Sequence, residues 1–481
     1  MNFHLWFEMQ RCLPSAVLLI LALGCFSTLA AGEVFTSLPS AQSMSFSAEP
    51  KLEDKKDLTL KDALYLVLRS NPELAAFDKE MRALEGATLQ AGLLPNPYLG
   101  VDVENAGNLG RGQRNVPGNG ETIKEAVEQQ DVFIRISQLI ELGGKRAARV
   151  HAASLGQELA GKDYETKRLE LIARMANVFT EVLAGQEQLR LAEESQQLAQ
   201  RVVDTVRKRV QAGKVPPIEE TKVGVAFSAT RIALGQAQRE LAAARKRLAL
   251  LWGDSSPQFE RVLGTLESLV ALPGIDALTE RVLSSPMADR GRKGIEHRKA
   301  LLNVEQTRRV PDITLSGGMI KHWETGGTTA LVGISIPLQL FDRNQGNLRE
   351  AYQRLDKAQD EQAATELRLK AELTQAYESL AAAQNEIMIL RSEILPAAKN
   401  AFEVTNKGYE LGKFGFLEVL DAQRTLFQNQ VLYVRALASY QRLVNEIERL
   451  IAAPIDGAPD SASNDSIVVD DGVNVDSRSG L

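Results

Sequence analysis

The 481-residue chain is only 5% aromatic and carries a formal net charge of −6, with a sequence pI near 5.6. That mildly acidic balance excludes a nucleic-acid partner, which would need a basic stripe, and the dominance of Ala, Leu, Gln, Glu and Arg points to long helices rather than several globular domains. Both cysteines, Cys12 and Cys25, fall in the leader, so an exported mature chain holds neither a disulfide framework nor a thiolate metal site.

Residues 1–30 read as a secretion signal. Arg11 precedes the apolar run LPSAVLLILALGCF, and Thr28-Leu29-Ala30 presents small residues for a cut after Ala30. Met9 offers a more compact alternative start. Cys25 follows Gly24 and is a candidate lipidation site, with Ala22 where such sites usually carry Leu. Beyond the leader no apolar run has the length of a spanning helix, so any membrane crossing must be made with strands.

After an extension over 31–57, a first unit runs from 58 to 252. It opens with a helical stretch at 60–92 and continues into a strand hairpin at about 98–139. There Leu99, Val101 and Val103 alternate with Gly100, Asp102 and Glu104, and Val132, Ile134 and Ile136 with Phe133, Arg135 and Ser137. A helical hairpin at about 146–252 follows, its first arm reaching 211, its turn at Gly213-Lys214 and its second arm at 218–252. Residues 253–276, with Pro257 and Pro273, form a linker. A second unit over 277–452 repeats the order: a helix at 277–308, a strand hairpin at about 312–338, and a helical hairpin at about 347–452 that turns at Gly412-Lys413 and returns as a helix over 417–452. In this hairpin Ile313 and Leu315 alternate with Thr314 and Ser316, and Ala330, Val332, Ile334 and Ile336 with Leu331, Gly333 and Ser335. The residues 453–481 read as a disordered acidic tail.

The two units are offset by 214 positions at Pro97 and Pro311, by 198 between Ile136 and Ile334, and by 199 between Gly213 and Gly412. The shortfall falls in the first hairpin loop, long and Gly-rich at 106–130, where the second turns tightly at Gly326-Gly327. This is the pattern of an internal duplication with one lengthened surface loop. In the second long arm, Leu348, Tyr352, Leu355, Gln359, Gln362, Glu366, Leu369, Leu373, Ala376, Leu380, Ala383, Ile387, Leu390, Ile394 and Ala397 follow a heptad seam with a polar patch near its start. Pro396 is expected to kink it. Arms of this length reach ~100 Å at 1.5 Å per residue, more than a compact core needs.

Four strands with an apolar face suit a bilayer, but lipid does not tolerate their open edges and four are too few to close alone. Two copies would supply eight strands and three copies twelve; three also supply twelve helical columns, enough for a hollow tube where eight would close more tightly, so a homotrimer is favoured over a dimer. At this point the chain resembles a known family. The repeated order of helix, strand pair, long helix, Gly turn and helix behind a leader, over residues 58–452, is similar to the TolC-type outer-membrane efflux channels. ELGGKRAAR at 141 and SIPLQLFDRNQGNLREA at 335 resemble passages of its heavy-metal branch, of cobalt/zinc/cadmium or copper/silver type.

The resemblance implies a mainly α fold with a small transmembrane β part: a trimeric 12-stranded β-barrel continued by a long α-helical periplasmic barrel. It implies a passive conduit in the outer membrane that extends into the periplasm. Its partners would be outer-membrane lipid, a periplasmic adaptor and an inner-membrane pump of the resistance-nodulation-division type. The alternatives are a channel for drugs or other organic solutes, and a periplasmic coiled-coil adaptor. It places Gly213, Lys214, Gly412 and Lys413 at helix tips where an adaptor docks, and Tyr409, Phe414, Glu418 and Asp421 at the periplasmic gate. Phe414 stands where some relatives carry a basic latch, which suggests apolar closure. Glu418 and Asp421 share a helical face and would form acidic rings in a trimer. No catalytic motif, cofactor site or metal cage is expected; His151, His297 and His322 read as scattered exposed residues.

Overall fold

The computed structural model describes residues 56–104, 131–322 and 326–455. The leader with Cys25, all but the end of the 31–57 extension, the insertion at 106–130 and all but the start of the tail lie outside them.

Strand β1 (Asp57–Thr59) runs into α1 (Leu60–Ser70) through a capping box: the Thr59 hydroxyl accepts from the Asp62 N–H and the Asp62 carboxylate accepts from the Thr59 N–H. There follow α2 (Pro72–Ala91), β2 (Tyr98–Glu104), β3 (Asp131–Ile140), α3 (Lys145–Gln211) and α4 (Pro217–Leu250). After β4 (Arg261–Leu263) come α5 (Ile275–Leu283), α6 (Pro286–Thr307), β5 (Ile313–His322), β6 (Thr328–Ser335) and α7 (Gln345–Ile389). A π-helical turn over Leu390–Ile394 joins α7 to α8 (Leu395–Glu410), and α9 (Phe416–Ile451) closes the described chain.

Two corrections concern the short helices. Those expected at 60–92 and 277–308 are each a pair, because Pro72 and Pro286 push the residue before them into extended backbone. Asn71 and Ser285 therefore end one helix and begin the next, with Pro at the first helical position. Asn71 is buried at this corner; its side chain accepts from the Leu74 N–H at 3.1 Å and donates to the Leu251 carbonyl at 2.7 Å. The linker 253–276 is also more than a gap. It contains β4, which pairs in parallel with β1 and is held there by Arg261 donating to both oxygens of Asp57 at 2.6 and 2.8 Å.

Tyr352 near the start of the α7 heptad seam is exposed, whereas from Leu369 the seam is buried as its spacing predicts: Leu369, Leu373, Ala376, Leu380, Ala383, Ile387 and Leu390 all lie inside. They pack on Tyr440, Val444, Ile447 and Leu450 of α9 and on Leu278 and Val282 of α5. Past that point the pattern slips. The π turn inserts one extra residue into the helix, so Ala398 is buried where the spacing predicts Ala397. The expected disruption near Pro396 thus takes the form of a register shift just ahead of it. From Ala398 the buried stripe steps by four, three and four to reach Tyr409, while Val404 and Leu411, on the extrapolated seam, are 55% and 65% exposed.

The polar start of the seam also has a partner. Buried Gln362 donates to the Ala288 carbonyl at 3.3 Å and to Glu366 Oε1 at 2.7 Å, and its Oε1 presses on Gly291 of α6 so closely that a Cβ there would collide. Gly291→Ala is expected to destabilise the fold by about 1–3 kcal/mol through overpacking. The loss should largely vanish in Gly291→Ala/Gln362→Ala, since residues in contact are not additive. Thermal denaturation of the double-mutant cycle measures this, and additive losses would rule the contact out.

Among the described residues no helix is long and apolar enough to cross a membrane.

Candidate functional site

Among the described residues the sheet is four-stranded and antiparallel, in the order β2-β3-β5-β6, with β2 and β6 as open edges. Its register decides which side chains share a face. Val101 opposes Ile134, which opposes Met319, which opposes Ala330; Leu99 opposes Ile136, which opposes Gly317, which opposes Val332. Every apolar residue picked out by alternation in the sequence therefore falls on one side, with Leu99 70%, Val332 86% and Ile334 68% exposed. Gln138 bounds this apolar band at the helix end and Lys321 at the other, about 20 Å apart at ~3.3 Å per residue. The opposite face carries Asp102, Arg135, Ser137, Ser316, His322 and Thr329, with Arg135 paired to Asp102 at 3.1 Å. Two histidines depart from expectation. His322 sits between Asp131 and Thr329, at 3.1 and 3.0 Å. His297 is half-buried against Gly156, and burial pushes its pKa down. His151 is exposed.

At the far ends of the helices lie the two Gly turns, and they share one geometry. In the first, Lys214 N–H donates to the Arg209 carbonyl at 2.9 Å and Gly213 N–H to the Val210 carbonyl at 2.9 Å. In the second, Lys413 N–H donates to the Gly408 carbonyl at 2.8 Å and Gly412 N–H to the Tyr409 carbonyl at 3.0 Å. This is the Schellman arrangement, which needs a left-handed residue just past the helix; Gly213 and Gly412 supply it at φ 67° and 73°. Lys214 and Lys413 are exposed at the two tips.

The tips are joined by a residue that sequence reasoning missed. Arg209, at the end of α3, reaches across to α8: its Nη2 donates to the carbonyls of Tyr409 and Glu410 at 3.1 and 3.3 Å, and its guanidinium lies 4.3 Å from the centroid of the Tyr409 ring. A cation placed at the last carbonyls of a helix also meets the negative end of its dipole. The signal lay in the offset of 199, which sets Arg209 of the first turn against Gly408 of the second.

Tyr409, expected at the constriction, is only 5% exposed. It packs edge-on against Phe416, at 6.2 Å between centroids, in a cluster with Val203, Val206, Val223 and Val419. Its Oη has no hydrogen-bond partner among the described residues, and burial raises its pKa against the opposing charge of Arg209. The Phe414 ring folds back over Gly408, where a Cβ would collide with it. Glu418 and Asp421 are exposed, and the Glu418 carboxylate lies over Gly415, within 2.6 Å of where a Cβ would stand. The structure thus gathers Arg209, Gly408, Tyr409, Phe414 and Phe416 around one turn and leaves the two acids outside that cluster. Among the described residues no group of three or more His, Cys, Asp or Glu is placed to hold a metal ion.

The chain thus joins a sheet with one apolar face to helices of which one spans 67 residues. The chain belongs to the outer membrane efflux protein family, whose profile matches residues 63–254 and 290–453. It is 37% identical to the cobalt-zinc-cadmium resistance protein CzcC of Cupriavidus metallidurans, over 82% of this chain and 90% of that one. It is 25% identical to the nickel-cobalt-cadmium resistance protein NccC of Alcaligenes xylosoxydans xylosoxydans, over 65% of this chain and 68% of that one. Its fold matches the crystal structure of the outer membrane protein VceC of Vibrio cholerae with a TM-score of 0.67 at 18% identity, covering 82% of this chain and 96% of that one.

Proposed function

We propose that this protein is the outer-membrane conduit of a tripartite system that exports heavy-metal cations, receiving them from an inner-membrane proton-driven pump through a periplasmic adaptor. The observation that carries the cation reading is the 37% identity to a cobalt-zinc-cadmium resistance protein over 90% of that protein's length. The test is complementation of a strain that holds the pump and adaptor but lacks the channel. Restored growth on cobalt, zinc and cadmium is expected, with tolerance to dyes and antibiotics unchanged. The reverse pattern would establish the organic-solute reading.

The conduit is formed by three copies. One copy leaves β2 and β6 unpaired, and unpaired edges do not persist in lipid; three copies close twelve strands, and the helices continue the tube into the periplasm. An internal duplication is supported by the near-constant sequence offset and by the two separate stretches that match the family profile. The apolar sheet face meets lipid and the polar face lines the lumen. Gly213, Lys214, Gly412 and Lys413 present the tips to the adaptor.

In the gate, Tyr409 acts as a wedge between tips rather than as a lining group, and Phe414 covers its turn. Glu418 and Asp421 face the entrance as acidic rings that draw in cations. Glu418→Gln/Asp421→Asn is expected to weaken divalent block of single-channel current several-fold while assembly is unchanged. Equal block in planar-bilayer recordings would place these acids on the outside of the tube.

A further inference from the structure

Past β6 the chain continues apolar: Ile336, Leu338, Leu340 and Phe341 are 49%, 81%, 64% and 91% exposed. They lead into a pocket of about 560 Å³ between the end of α6, the loop after β6 and the start of α7, lined by Arg309, Arg343, Arg349, Leu340, Phe341 and Tyr352. None of these arginines has a carboxylate partner among the described residues, although most of the basic residues on α3 and α6 do.

The first half of the chain supplies a contrast. At the offset of 198, Lys145 corresponds to Arg343 and Glu141 to Gln339. There the charges are neutralised: Lys145 pairs with Asp312 at 2.6 Å and Arg149 with Glu141. In the second half the acid is an amide and the cations are left open. An unpaired cluster of three guanidinium groups at the end of an apolar segment matches one chemistry, an anionic oxygen group carried on hydrocarbon. Arginine suits it, since its planar fork binds phosphate oxygens in pairs.

We propose that this pocket binds the headgroup phosphate of an anionic phospholipid in the periplasm-facing leaflet, with the acyl chains laid along Leu338, Ile336 and the apolar sheet face. This rests on the outer-membrane reading above. The site lies at the helix end of the apolar band, where a bilayer's headgroup layer would meet it.

The test uses the full-length protein reconstituted in vesicles, then extracted in mild detergent and examined by native mass spectrometry for retained phosphatidylglycerol. The wild type is expected to retain it over phosphatidylcholine, and Arg309→Gln/Arg343→Gln/Arg349→Gln to retain it about a hundred-fold less, given about 1 kcal/mol from each of three basic residues at a membrane surface. Phe341→Ala, which keeps all the charge, should also lose retention, and covers the case in which the triple variant does not fold. Equal retention by wild type and both variants overturns the site. So does displacement of phosphatidylglycerol by an equal concentration of inorganic phosphate, which would make it a bare anion site. Loss of subunit association in the variants, with no lipid retained by the wild type, would instead assign the pocket to contact with a second copy and overturn the proposal. A wild type that inserts but retains no phosphatidylglycerol refutes the site alone; one that never inserts refutes the channel reading beneath it.

Discussion

Arg209→Ala is expected to raise the resting conductance of the reconstituted channel about ten-fold, with single-channel recording as the measurement. Among the described residues, Arg209 is the one side chain that bonds α3 to the end of α8, through two carbonyls and the face of Tyr409. Charge-assisted hydrogen bonds contribute about 1.5–3 kcal/mol, and a cation over an aromatic ring about 0.5–2 kcal/mol. Solvent reaches Arg209, which discounts the whole contact to about 1.4 kcal/mol, a factor of ten if opening breaks it. Arg209→Lys should rescue poorly, because an ammonium cannot both stack flat and fork between two carbonyls. The neighbouring Arg207 serves as control: its pairs with Glu220 at 3.2 Å and Asp204 at 3.5 Å are exposed, and exposed pairs contribute little. A resting conductance unchanged in Arg209→Ala would mean that the tips open without parting here.

The second large effect is expected in the sheet. Gly318 sits opposite Arg135, and a Cβ there would run into the backbone oxygen of Ile134 and lie 3.0 Å from the Arg135 Cα. Backbone atoms cannot swing aside as a side chain can, so Gly318→Val should separate β3 from β5 and abolish membrane assembly. Gly317 is the internal control. A Cβ there meets nothing nearer than the Leu331 carbonyl at 4.0 Å, and Gly317→Ala should assemble normally. Heat-modifiable migration of the assembled species on gels separates the cases; assembly of Gly318→Val at the wild-type level would show that the β3–β5 pairing seen in one chain is not kept in the membrane.

The parts of this architecture visible in the sequence are those set by near neighbours. Alternation placed Val101, Ile134, Leu315 and Val332 on one face because a strand's period of two is local, and the pairing then aligned them. The α7 seam was legible for the same reason from Leu369 to Leu390. What failed was whatever depends on a partner far along the chain or on one added residue. The β1–β4 pair joins positions about two hundred apart with three residues each, too short to carry a pattern. The helix breaks at Pro72 and Pro286 are within reach of the sequence, since a proline pushes the residue before it out of the helix. The π turn has no comparable signature. Its single extra residue rotates everything beyond it by about 100°, so that Ala398 rather than Ala397 is buried. Arg209 was overlooked because its acceptors are main-chain carbonyls, which no residue type announces.

The two unpaired edges of the sheet bear on how the protein reaches its destination. A single copy presents Val332, Ile334 and Leu99 to water on one side and two rows of unpaired amides on its flanks, so it has no stable resting place in either solvent or bilayer. Its lifetime in transit is therefore limited by encounter with its own kind. The rate of insertion should climb more steeply than linearly with the amount of chain supplied, and slow expression should leave a larger fraction to proteolysis than rapid expression does.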